Sequence, residues 1–183
     1  MCTLLVAHGL RRDFPLVLAA NRDEFFARAA TPPTLDRSGP IPFLAGRDTL
    51  ARGTWLGVNA RGLFAGLTNQ RAPAGPDAPA SRGEVVQTLL QHARSVDDAE
   101  AYLGALDPAR YRPFNLLFGT AEALAVAYVR PDPASVTVAR LGPGVHVLAN
   151  DVLGSTRFPK APRTAGLVPE AVLREAPWPH LAD

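Results

Sequence analysis

Cys2 is the only cysteine in the 183-residue sequence and stands directly behind the initiator methionine. Its small size favours removal of Met1, which would leave a thiol and a free α-amine on one carbon. A thiol with a pKa of about 8.5 and an amine of about 8 form a nucleophile with its own base. Three other places put polar residues where an apolar run stops. Arg22 and Asp23 follow Leu16 to Ala20, Asn69 follows Gly62 to Thr68, and Asn150 follows Val145 to Ala149. An arginine beside sulfur favours the thiolate, and a carboxylate orients an α-ammonium. Asparagine amides can donate to an oxyanion, where one donor is typically worth about 10²–10³ in rate. Cys2, Arg22, Asp23, Asn69 and Asn150 thus make a candidate catalytic set for acyl transfer from an amide. The competing reading is plainer: single cysteines mostly act as small buried hydrophobes, and polar strand ends as Asx-type turns.

The elements that must position this set are legible in outline. Cys2–His8 and Leu16–Asn21 read as strands joined by a polar turn, a hairpin that brings Arg22 and Asp23 beside the N-terminus. The second strand is expected to be buried. Residues 27–42 read as irregular, because Pro32, Pro33, Pro40 and Pro42 oppose regular pairing. Thr54–Asn59 and Gly62–Thr68 form a hairpin around Ala60-Arg61-Gly62, with Trp55 expected in the core. Ser81-Arg82-Gly83-Glu84 has the spacing of a capping box. The helix it opens carries Val85, Val86, Leu89, Leu90 and Ala93 on one face, with Arg82 expected in a solvated first turn. Ser95 and Asp98 begin a second helix through Leu106. Strands resume at Phe114–Gly119, Leu124–Arg130, Val136–Leu141 and Val145–Ala149, and a weak helix is expected around Pro169–Glu175. Strands, two helices, strands and a helix make an α+β layered domain.

Composition narrows the function classes. Apolar residues at 47% and charged residues at 20% describe an ordinary globule of one domain, residues 1–183. Of 19 basic residues only Lys160 is a lysine, and the arginines are scattered. No basic stripe marks a nucleic-acid surface. No run approaches the ~20 apolar residues of a membrane span. A lone cysteine and the absence of a signal-peptide pattern point to a cytoplasmic setting. No His-x-x-x-His, Cys-x-x-Cys or P-loop pattern is present, so no metal or cofactor is expected.

Cys2-Thr3 together with Leu18-Ala19-Ala20-Asn21-Arg22-Asp23-Glu24 resembles the NRDE family, whose animal members are called transport and Golgi organisation protein 2. The likeness continues through Gly53-Thr54-Trp55-Leu56-Gly57, Leu67-Thr68-Asn69, Ser81-Arg82-Gly83-Glu84, Phe114-Asn115-Leu116-Leu117 and Leu148-Ala149-Asn150. That family is similar to the cysteine N-terminal nucleophile (Ntn) hydrolases that act on bile-salt and penicillin amides. The resemblance implies a four-layer αββα sandwich. It also implies an Arg22/Asp23 pair beside the nucleophile, an oxyanion asparagine at Asn69 after Gly57-Val58-Asn59-Ala60-Arg61-Gly62-Leu63, and a later asparagine at Asn150. The sequence ends at Asp183, so the usual C-terminal strands and their Tyr-Gly-Thr-Arg-type arginine are expected to be missing; Arg157 and Arg163 are weak substitutes. Two functions follow. One is a cysteine amidohydrolase acting on a small non-peptide amide. The other is a non-catalytic binding or trafficking protein for a hydrophobic ligand, as implied by animal relatives linked to haem or lipid handling and the secretory pathway. A thiolate or His8 could ligate iron, but the four histidines form no motif.

Overall fold

The computed structural model describes residues 2–25, 27–70, 79–157 and 159–167. Among them, ten strands and three helices follow in the order β1 (Thr3–His8), β2 (Leu16–Asn21), β3 (Thr34–Asp36), β4 (Phe43–Ala45), β5 (Leu56–Asn59), β6 (Phe64–Asn69), α1 (Arg82–His92), α2 (Val96–Gly104), β7 (Phe114–Gly119), β8 (Leu124–Pro131), β9 (Ala134–Leu141), β10 (Gly144–Leu148) and α3 (Lys160–Leu167). A three-stranded antiparallel sheet runs β10-β1-β2, and a seven-stranded antiparallel sheet runs from β3 to β9 in sequence order.

Alternation along the strands builds the layers, because neighbouring side chains point to opposite sheet faces. On β1, Leu4 and Val6 meet Phe64, Leu117 and Val126 of the larger sheet. Leu5, between them, points the other way, to a small cluster with Val147, Ala149 and Ala161 of α3. The far face of the larger sheet does the same with α1 and α2. Ala65, Leu67, Leu116 and Phe118 pack there against Val85, Val86, Leu89, Leu90, Ala99 and Leu103. The result is helices, sheet, sheet, helix: the αββα sandwich.

Several elements differ from the sequence reading. β2 is an edge strand with Ala19, Ala20 and Asn21 exposed, not a buried one. β3 forms inside the proline-rich stretch, because Pro32 and Pro33 precede it and Pro40 and Pro42 follow it, leaving three residues free to pair with β4. Ser81 makes no side-chain cap. Only its carbonyl accepts from the Glu84 N–H, at 3.1 Å. Ser95 does cap α2, accepting from the Asp98 N–H. α2 stops at Gly104, and α3 was not anticipated; the helix expected at Pro169–Glu175 lies outside the described residues.

Candidate active site

The β1–β2 hairpin sets Thr3 opposite Asn21, so Cys2 and Arg22 leave the paired region side by side. Cys2 shares the parity of Leu4 and Val6, which directs its side chain between the sheets. There it lines a cavity of about 540 Å³ together with Arg22, Trp55, Leu67, Asn69 and the 79–84 segment. The hairpin at β5–β6 delivers Asn69 to the same wall as the last residue of β6. Trp55 packs against both apolar clusters and also lines the cavity, so its ring is core on one side and wall on the other.

Arg22 does not pair with Asp23. Its Nη2 lies 3.0 Å from Asp48 Oδ2, while its other terminal nitrogen donates to the Arg28 carbonyl at 3.5 Å. Arg28 Nε sits 2.7 Å from the same Asp48 oxygen as an ion pair without hydrogen-bond alignment, and Arg28 Nη1 is 3.3 Å from Glu24. Asp48 is itself fixed by the Leu50 and Ala51 N–H groups at 3.0 and 2.8 Å. Burial alone would raise the Asp48 pKa, but those N–H groups and Arg28 hold it below the ordinary carboxylate value. The arginine beside Cys2 is thus clamped from the loop after β4. The sequence reading missed Asp48; its signal was an Asx-type turn at Asp48-Thr49-Leu50-Ala51, which looks like ordinary loop chemistry.

Asp23 lies outside the cavity wall. Its carboxylate accepts from Lys160 of α3 and from the Asn21 amide, and the Lys160 contact is the main cause of its lowered pKa. Burial pushes the Cys2 thiol up, and the positive N-terminus and the Arg22 charge oppose that rise without cancelling it.

Asn150 is buried and does not line the cavity; its amide donates to the Asn69 carbonyl at 2.6 Å. A polar tie behind it joins the two sheets. Thr68 Oγ1 donates to the Ala149 carbonyl at 2.5 Å, and Asn115 Nδ2 donates to Thr68 Oγ1 at 3.2 Å and to the Asp151 carbonyl at 3.0 Å. Arg130 Nη2 donates to Asn115 Oδ1 at 3.0 Å. Arg157 is exposed and 3.8 Å from Asp151, and neither it nor Arg163 lines the cavity.

Arg82 is not in a solvated turn. It is half-buried and lines the cavity beside Gly83, with Arg112 on the same wall. Gly83 meets Gly53 backbone to backbone, since a Cβ built on Gly53 would come within 2.8 Å of Gly83 Cα. Among the described residues no group of His, Cys, Asp and Glu is placed to hold a metal ion.

The sandwich is the fold of the Ntn hydrolases. The R18L variant of conjugated bile acid hydrolase from Clostridium perfringens superposes with a TM-score of 0.58 at 14% identity, over 91% of this chain and 57% of that one. Penicillin V acylase from Agrobacterium tumefaciens gives 0.54 at 16% identity, over 93% and 59%. The N-acylethanolamine-hydrolyzing acid amidase orthologue from Caenorhabditis elegans gives 0.58 at 11%, over 81% and 70%. The chain itself belongs to the Transport and Golgi organisation 2 family, whose model matches residues 1–178. It is 32% identical to the human Transport and Golgi organization protein 2 homolog over 155 residues and 33% identical to the cattle homolog over 150. In both cases 78% of this chain and 53% of the relative are aligned, so the chain spans about half the length of those relatives.

Proposed function

We propose that the protein is a cysteine amidohydrolase that cleaves a C–N amide bond of a small, non-peptide molecule in a reducing, cytoplasmic setting. The observation that carries this reading is the placing of Cys2 in the wall of a ligand-sized cavity shared with Arg22 and Asn69. Once Met1 is removed, Cys2 attacks the amide carbonyl and its own α-amine takes the thiol proton and passes it to the leaving nitrogen. Arg22, held by Asp48, favours the developing thiolate. The Asp23 carboxylate, which feels the N-terminal charge, orients the α-ammonium. Asn69 donates to the oxyanion, and Asn150 acts by holding the Asn69 backbone. The bile acid hydrolase, acid amidase and penicillin acylase neighbours support the reading through fold.

A second reading is favoured by one observation: burial pushes the Cys2 thiol up, away from reactivity. On it, the cavity carries a hydrophobic ligand such as haem or a lipid without turnover. Activity separates the two. An amide-based electrophile should label Cys2 alone, as read by intact and peptide mass spectrometry, and labelling should slow by about tenfold or more in Arg22→Ala. Cys2→Ser should lose hydrolysis of a small-amide panel while keeping ligand binding. No hydrolysis by wild type, with tight Cys2-independent binding of haem or fatty acid, establishes the carrier. Intact mass must also show Met1 absent; a retained methionine rules out the amine as base.

A further inference from the structure

Among the described residues four arginines line the cavity, but they are not equivalent. Arg22 and Arg28 close a circuit with Asp48 and Glu24, two cations against two carboxylates. Arg82 and Arg112 stand outside it: among the described residues neither has an ion pair or a side-chain hydrogen bond. Glu84 is on the same wall yet exposed, and it too forms no ion pair with either arginine among the described residues. Arg82 is half-buried, and the charges it faces include Arg112 and Arg28, both of its own sign. Desolvation and those like charges push its pKa down, and Cys2 and Glu24 offset only part of that. A half-buried guanidinium beside like charges, whose nearby carboxylate Glu24 is already paired with Arg28, is unfavourable unless something else supplies the counter-charge.

The geometry points to an anion-binding subsite: Arg82 and Arg112 receive a carboxylate, phosphate or sulfonate group of the ligand, while the Arg22 circuit serves Cys2. The planar fork of arginine suits such two-oxygen groups, which it can hold through paired N–H bonds. The ligand class is then an amide that carries one anionic group within reach of the scissile bond. This rests on the amidohydrolase reading for the word amide, but the anion preference stands apart from turnover. Glu84 and Glu24 on the cavity wall, both negative, disfavour a second anionic group placed near them.

The test uses the full chain in a Cys2→Ser background, which removes both turnover and any thiolate that Arg82 might otherwise serve. Octanoylglycine and octanoylglycinamide differ by one charge at the same position, and both are titrated calorimetrically at low and high salt. The carboxylate is expected to bind about tenfold or more tightly than the neutral amide, with the gap narrowing as salt rises. Arg82→Gln should erase the preference, Arg82→Lys should keep part of it, and the exposed Arg112→Gln should reduce it without disturbing the fold. Octyl phosphate and octanesulfonate in the same titration identify which anion fits best. Equal affinity for charged and neutral probes overturns the subsite, as does a preference that survives the Arg82→Gln/Arg112→Gln double variant. Failure of every probe to bind, octyl phosphate included, overturns it as well. Hydrolysis by the Cys2 chain is assayed separately, so loss of the amidohydrolase reading leaves the anion result standing.

Discussion

At the scale of single residues, Cys2 is held in tension between burial and positive charge. Burial wins for Cys2: its thiol pKa lies above the ordinary value, with the positive N-terminus and Arg22 only limiting the rise. The alkylation rate of Cys2 by iodoacetamide should therefore still climb past about pH 9 instead of levelling near 8.5. Removing the charge in Arg22→Ala should move the curve further up. Stability follows the same sign. A group whose folded pKa is raised contributes fully below the unfolded pKa and loses that contribution as pH rises through the folded value. Alkaline destabilisation above about pH 9 should thus be milder in Cys2→Ala, as read by denaturant unfolding across pH. Sequence alone brought forward Cys2, by its place behind Met1, and Arg22 and Asn69, each just past an apolar run, and all three line the cavity. It did not expose Asp48, Arg82 or Arg112. Asp48 looks like a turn residue, and an arginine in a helix's first turn looks solvated until the opposite wall is known.

At the scale of elements, the two helix starts show how far local spacing reaches. Ser81 and Glu84 have capping-box spacing, yet the Ser81 side chain makes no cap; Gly53 and Gly83 press together beside it, with Ser81 Oγ 3.1 Å from where a Gly53 Cβ would be. Tertiary packing overrides the local motif there. Ser95 keeps its cap because α2 starts on an open surface, where Asp98 also pairs with Arg94 at 3.0 Å. Ser81→Ala should change stability by less than about 0.5 kcal/mol, whereas Ser95→Ala should cost about 1 kcal/mol, both read by chemical denaturation. The central strands were legible because they alternate or run apolar for five residues or more. Three-residue β3 and β4 were not: strands that short carry no periodicity, and only pairing, of β4 with β5 and of β3 with β4, gives them order. α3 escaped for a related reason, since it covers Leu5, Val147 and Ala149 with little more than Ala161.

At the scale of the whole molecule, the sandwich is joined near the site by polar bonds as well as by its apolar filling. Asn115 is fully buried and links β7 to Thr68, to the Asp151 carbonyl and to Arg130. Asn115→Ala leaves several of those groups unpaired and should cost about 3 kcal/mol in urea unfolding. On the amidohydrolase proposal it should also lower kcat through Asn69, which hangs from the same seam by way of Asn150. Four layers could be inferred from element order and family likeness, but this tie could not, because its partners lie up to 81 residues apart in sequence. The meeting of Gly53 and Gly83 has a different reach. A Cβ on either one would come within about 3 Å of the other's Cα. On that side the cavity is bounded by main chain, whose position no exchange of side chains can trim. Substitution elsewhere, at Trp55 or Leu67, can reshape the remaining walls. Homologues that handle bulkier molecules would have to gain room there, and a library aimed at wider substrates should leave both glycines untouched.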